Sequence, residues 1–362
     1  MQHLGLYFYQ FRNFIRDLMV LPVISLEFCL LFMQSTGLTG FLKQNQQFKM
    51  LKRLIILTFI FPLFLSCSNK SENKFRDTPT SGDITIAVDE TLSPIIRQEI
   101  DVFQSIYISA TINDLQVSEI EAFNLLIKDS VRMIVAARRL SDDEKTFFAE
   151  KKIFPQEVKI ATDGIALIVH KSNPDSLLSV ITLNDILTGK TKTWDELGNG
   201  SKLGTIKTVF DNPESSTAQY AIRSICNNQQ LSTELSALKN NRAVIDFVAE
   251  NPNSLGIIGV SWISNQKDTT CMGFLDKVKV VAVSRDSIPT TDNSFQPYQA
   301  YLATGEYPLT RDIYAVMADP RIGLTSGFTS FITSDRGQRI ILKSGILPVT
   351  QPVRIIQVND QF

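Results

Sequence analysis

Histidine is the scarcest chemistry-bearing residue: the 362-residue chain has two, His3 and His170. A Ser-His-Asp triad or a histidine-rich metal site would have to be built on His170 alone, which argues against both. Runs of basic charge are missing too. Thirty-six Lys and Arg against 37 Asp and Glu give a formal net charge of −1 with no long basic block, so the electrostatic footprint of a nucleic-acid partner is absent. What the chain has is apolar mass: 44% of its residues are apolar and 20% charged, enough for a sizeable core and about two domains.

The stretch MLKRLIILTFIFPLFLSCSNK, starting at Met50, places Lys52 and Arg53 before the apolar run Leu54 to Leu65, then Ser66 and Cys67. A basic head, about a dozen apolar residues and a small residue make a secretory signal, too short to span a bilayer comfortably. Residues 50–66 are expected to be that signal, with a stop-transfer anchor disfavoured by the polar SNKSENK after it. Residues 1–49 fit nothing downstream and read as an over-extended start. The alternative is a genuine first hydrophobic segment, but Pro22 and Glu27 interrupt Leu18 to Met33. Removing residues 1–66 takes away six basic and two acidic side chains, leaving a mildly acidic remainder. Cys226 and Cys271 then stand either as a disulfide or as two buried thiols; their spacing decides nothing.

Residues 67–83 are polar with Pro79 and Gly82 and read as a tether. From Ile84, strand-length runs (ITIAV, ATINDLQV, VRMIVAA) alternate with helical patterns (SPIIRQEIDVFQSIY, SEIEAFNLLIKD, SDDEKTFFAEKK). That rhythm implies βαβ units and an α/β class with mostly parallel sheets flanked by helices. Capping boxes are expected at Ser118/Glu121, Ser141/Glu144 and Thr182/Asp185. Further strands (TIKTVF, LGIIGVSWI, VKVVAVS), helices (TLNDILTG, TAQYAIRSIC, RAVIDFVAE) and a long last helix, FTSFITSDRGQRIILKSG, complete the chain. Trp194 and Trp262 sit in apolar contexts and read as core, and Asp163 before Gly164 reads as a turn residue.

Four stretches together resemble the phosphate-binding component of bacterial phosphate ABC transporters: TLNDILTGKTKTWDEL, NPESSTAQY, LGIIGVSWI and SDRGQRIILKSGILPV. The resemblance covers roughly 85 to 362. It implies a two-lobed type II periplasmic-binding-protein fold with the ligand cleft between the lobes and crossovers near DGIALIV and YPLTRDIY. Lobe I would be 84–165 plus 305–362, and lobe II 166–304. A signal ending on Cys resembles a lipoprotein signal, so Cys67 would carry the lipid.

Physical chemistry supplies an independent reason for an anion at such a cleft. Ligands of doubly wound sheets sit outside the carboxyl ends of strands, where helix N-termini offer free amides and about half a positive charge. Three loops qualify: Thr91 and the Leu92 amide, where Ser93-Pro94 also makes an ordinary helix start; Ser118; and the run Ser215, Ser216, Thr217. This last run takes the place of the family's Ser-Gly-Thr, with Ser216 where Gly is usual. Asp211 replaces the family's upstream basic residue, while Arg138 and Arg139 follow VRMIVAA, where the family has an acid. The economical reading is a charge swap, with Arg138 as cation and Asp211 as carboxylate. A carboxylate accepts a proton from P–OH and repels sulfate.

The expected protein is thus a monomeric, lipid-anchored periplasmic receptor. It binds inorganic phosphate and hands it to ABC permease subunits, with no catalytic residue, metal, cofactor or nucleic acid. The competing readings are a receptor for another oxyanion, a surface binding lipoprotein without transport, and a serine hydrolase that lacks a base.

Overall fold

A computed structural model describes residues 77–198, 201–264 and 273–352. The signal, Cys67, most of the tether and Cys271 lie outside the described residues. ITIAV becomes β1 (Gly82–Asp89), paired in parallel with β2 (Ala110–Val117) and β3 (Met133–Ala136). The intervening helices are α1 (Ser93–Ile106), α2 (Glu119–Ile127) and, after β3, α3 (Asp142–Glu150).

The next strand organises the molecule. β4 (Gln156–His170) pairs antiparallel through Gly164 with β12 (Thr310–Met317), then from Ile165 with β8 (Ser254–Gly259). The partner change falls within DGIALIV. Beyond it, β6 (Lys207–Phe210) lies parallel to β8 and to β7 (Ser236–Ala237). The path across the sheet is β2-β1-β3-β12-β4-β8-β6-β7, with β9 (Val278–Val280) and β13 (Leu347–Pro348) also on β4. A second small sheet joins β5 (Leu177–Ser179), β10 (Ala282–Ser284) and β11 (Ser294–Phe295). Parallel ladders occupy the flanks, and the outgoing β4 and returning β12 run antiparallel between them. Two chain passages in opposite senses cannot lie side by side in any other way.

The remaining helices are α4 (Val180–Leu187), α5 (Ser216–Tyr220) running into a π turn (Ala221–Ile225), α6 (Asn241–Glu250), α7 (Gln299–Thr304), α8 (Leu324–Thr333) and α9 (Asp335–Lys343). Ser141 with Glu144 forms the complete capping box expected, whereas Ser118 caps α2 through the Glu121 amide alone. Before α4 the cap is Ser179 rather than Thr182, because the helix starts at Val180 and the Ser179 hydroxyl takes the Thr182 amide at 2.9 Å. The expected long last helix is two helices. Ser334 is extended at ψ 168° and caps the second, whose Gly337 packs so closely that a Cβ would meet the Phe331 and Ile332 carbonyl oxygens at 2.4 and 2.5 Å. Order also begins earlier than the tether reading expects: the Asp77 carboxylate takes the Leu324 amide at 2.7 Å at the start of α8 and pairs with Arg132 at 3.2 Å. Among the described residues, no helix is long and apolar enough to cross a membrane.

α1 buries Ile95, Ile96, Ile100 and Phe103 at helical spacing, and Phe103 meets Phe328 and Phe331 edge-on with centroids 5.4 Å away. On that same face lies Glu99, fully buried, with no hydrogen-bond partner for either oxygen among the described residues. Burial alone pushes its pKa up to about 9. An unfolded Glu ionises near 4.5, so between there and about 9 the folded chain holds the extra proton, and stability falls as pH rises through that window. Glu99→Gln, neutral at every pH, is expected to raise Tm by several degrees at pH 8 and to leave it unchanged at pH 4. Equal shifts at both pH values would contradict this origin.

Candidate functional site

The carboxyl ends of β1, β2, β3 and β6 carry the loops that sequence reasoning singled out. Asp89, the last residue of β1, caps a short turn (Glu90–Leu92) through the Thr91 amide at 3.0 Å. After β6, Asp211 leads to Ser215, the N-cap of α5, whose hydroxyl takes the Ala218 amide at 3.1 Å. Gly259 ends β8 against both of these. A Cβ there would stand 2.6 Å from Thr91 Cγ2 and 3.1 Å from Arg311 Nη2, so only glycine lets this strand end close on the site.

At the centre lies Arg311, 5% exposed, near the start of β12. Its register partner across the sheet is Asp163 on β4. Nε and Nη2 donate to Asp163 Oδ2 at 3.2 and 3.0 Å, and Nη1 donates to Ser216 Oγ at 2.6 Å. Asp163 is therefore no turn residue, but a buried mid-strand counter-ion. Burial opposes the Arg311 charge, but Asp163 and Asp89 outweigh it and hold the guanidinium protonated.

Acid outnumbers base in this interior. Asp89 is fully buried, and its carboxyl is pushed up to about 7 by burial and by the nearby Glu119 and Asp211, against the pull of Arg311. Glu90 also reaches about 7, through burial and through Asp211 and Asp89. Burial raises Asp163 and Asp211 too. Among the described residues, Asp89 Oδ2, Asp163 Oδ1, Glu119 Oε2 and Thr217 Oγ1 are buried polar atoms without a hydrogen-bond partner. Such groups are costly unless a ligand or solvent completes them.

Asp211 is a hub of side-chain hydrogen bonds. It accepts from Ser215 Oγ at 2.6 Å, Thr91 Oγ1 at 3.1 Å and Asn241 Nδ2 at 3.0 Å, while Asn241 also reaches Glu90 at 2.9 Å and takes the Gly259 amide at 3.2 Å. Its work is to tie three loops together. The single hydroxyl protons of Ser215 and Thr91 are committed to it, and Leu92 is buried beside them.

Ser118 and Arg138 form an outer rim. Ser118 caps α2 and donates to Glu214 at 3.3 Å. Arg138 lies over the Phe123 ring at 3.4 Å, paired with Glu144 at 2.7 Å and 3.6 Å from Glu119, which also takes Arg223 at 3.0 Å. Arg139 sits over Tyr314 at 5.0 Å. The structure thus brings Thr91, Leu92, Asp211, Ser215, Ser216 and Thr217 to one buried cluster and leaves Ser118 and Arg138 at its edge. Sequence reasoning missed Arg311, Asp89, Asn241 and Glu119. The available signal was charge inside the apolar strands at the two crossovers, Asp163 in DGIALIV and Arg311 in YPLTRDIY, since a charge buried in a strand needs a partner.

Trp194 is core, its Nε1 donating to the Asn253 carbonyl at 2.9 Å. Trp262 packs on the core and also donates to the Thr91 carbonyl at 3.0 Å, so it touches the site. His170, at the end of β4, bonds Ser172 at 2.7 Å. Cys226 is a buried thiol. Among the described residues, no group of three or more His, Cys, Asp and Glu could hold a metal ion.

A family model described as a PBP superfamily domain matches residues 74–336. The phosphate-binding protein PstS of Staphylococcus epidermidis is 26% identical over 252 residues, 68% of this chain and 73% of that protein. Two crystal structures are similar in fold. A substrate-binding protein with bound phosphate from Clostridium perfringens is 24% identical with a TM-score of 0.61, over 74% of this chain and 100% of its own. An ABC-type phosphate transport receptor from Vibrio cholerae is 18% identical with a TM-score of 0.57, over the same shares.

Proposed function

This chain belongs to the PBP superfamily domain family, and on that premise we propose that it is a lipid-anchored extracytoplasmic receptor for inorganic phosphate. It closes two lobes over the ion and delivers it to an ABC permease. The observation that carries the reading is the buried cluster of one guanidinium, the protonatable Asp89 carboxyl and unpartnered hydroxyl and carboxylate oxygens at the strand ends. Arg311 supplies the cation, and Thr217 Oγ1 with the Ser216 and Thr217 amides supplies neutral donors. Asp89 accepts the P–OH proton. Asp211 and Ser215 hold the loops in place, and Thr91 and Leu92 close the site from the other side. Ser118 and Arg138 line its entrance. The names of the relatives support the choice of phosphate.

The lobes run 84–165 plus 305–362 and 166–304, a division supported by the strand that changes partner at Gly164–Ile165. Lipid on Cys67 anchors the monomer to a bacterial membrane in the periplasm. The protein performs no catalysis: binding a small ion between lobes stabilises the closed form, which the permease recognises. Trp262 bonds to the Thr91 loop, so its emission reports closure. Phosphate is expected to shift that emission saturably and chloride to leave it unmoved. Saturation by sulfate with no response to phosphate would replace the reading with a receptor for another oxyanion.

A further inference from the structure

Ser216 stands where the resembling family has glycine, and its hydroxyl has an unusual position. It is fully buried and accepts from Arg311 Nη1 at 2.6 Å, beside the buried Asp89 carboxyl. Asp89 Oδ2 still lacks a partner at ordinary hydrogen-bond distance among the described residues. A hydroxyl that accepts from a guanidinium and keeps a proton to offer a nearby carboxyl has the donor and acceptor pattern of a protonated phosphate oxygen. A glycine would leave Arg311 Nη1 and Asp89 to meet that oxygen directly.

We infer that the Ser216 hydroxyl takes the place of one P–OH group, competing with phosphate for Arg311 and Asp89 and so setting the affinity of the site. This rests on the phosphate reading above. The rest of Arg311 is committed to Asp163 through Nε and Nη2, so Nη1 is the donor over which hydroxyl and ligand compete. Ser216 swings away when phosphate enters, and the bond it gives up offsets part of the bond phosphate gains. A charge-assisted hydrogen bond of this kind corresponds to about a tenfold change in affinity. Ser216 thereby acts as an affinity-determining residue of the site.

The test compares the full chain with its Ser216→Ala and Ser216→Gly variants by titration calorimetry with inorganic phosphate. Both substitutions are expected to tighten binding about tenfold, because both remove the competing hydroxyl. Weaker or unchanged binding in Ser216→Ala overturns the inference by making Ser216 an ordinary ligand donor. Tightening by Ser216→Gly alone also overturns it, assigning the effect to closer backbone approach. Carbon-detected titration of the Asp89 carboxyl without phosphate gives a second readout: Ser216→Ala raises its midpoint, since the charged form loses a donor. An unmoved Asp89 midpoint in a Ser216→Ala protein that binds phosphate in the calorimeter overturns the hydroxyl's role alone. Absence of heat from all three chains overturns the competition together with the phosphate reading.

Discussion

Arg311→Gln is expected to lower phosphate affinity by about a thousandfold, the largest effect of any single substitution in the chain. Arg311 is the cation of the buried cluster, held by Asp163 through two donors and pointed by its third at Ser216. In a site cut off from water, losing a charge-assisted donor removes about 2–5 kcal/mol of binding, much of it from leaving opposite charge uncompensated. The same change strands the Asp163 carboxyl, at a cost of about 3–5 kcal/mol of stability, so lost binding could merely report a lost fold. The Arg311→Gln/Asp163→Asn double variant separates the two: it is expected to melt near the unmutated protein while still failing to bind. Arg138→Ala, by contrast, is expected to weaken binding less than tenfold, because Arg138 is engaged by Glu144 and Glu119 at the rim. An Arg311→Gln protein within tenfold of unmutated affinity, or a larger loss in Arg138→Ala, would move the cation back to the loop after β3.

The second large effect concerns selectivity. Asp89 titrates near 7, with burial as the first cause, and phosphate loses its second proton in the same region. The bound pair holds together when one shared proton lies between carboxyl and ligand. As pH rises above about 7 the folded site and the ligand both lose protons, like charges face each other, and affinity falls. Sulfate brings no proton, so it meets the Asp89 carboxylate at pH 8 but a protonated donor at pH 5.5. Discrimination between phosphate and sulfate is therefore expected to narrow by about tenfold on acidification, since one pKa unit is about 1.36 kcal/mol. Asp89→Asn presents a permanent donor. It should admit sulfate, reduce selectivity at pH 8 by about a hundredfold and flatten the pH profile. Unchanged selectivity in Asp89→Asn would assign the proton acceptor to another carboxylate, with Asp163 and Glu119 the next to test.

The fold was legible wherever local pattern decides. β-branched runs alternating with amphipathic helices mark β1 to α3, and Ser141 with Glu144 marks one helix start unambiguously. The break at Ser334 falls in a run without apolar residues, Thr333 to Arg339, which separates the apolar faces of α8 and α9; there Ser334 extends and caps α9 while Gly337 packs tightly against the end of α8. The site was half legible. Hydroxyls and amides at helix starts are local features, and Ser215, Ser216 and Thr217 were found as such. Which carboxylate faces the ligand is not local. Asp211 reads from sequence as a ligand because it sits upstream of the hydroxyl run, and its hydrogen bonds from Thr91, Ser215 and Asn241 could be read only from the fold. Arg311 lies 95 residues from Ser216 and meets Asp163 only through cross-strand register, and no periodicity announces that pairing.

The most direct measurement is titration calorimetry with phosphate and with sulfate at pH 8, on the unmutated chain and on the Arg311→Gln/Asp163→Asn variant. The expected result is one-to-one phosphate binding by the unmutated chain, no detectable sulfate binding, and neither in the variant. Sulfate binding without phosphate binding, or phosphate binding that survives in the variant, would contradict it.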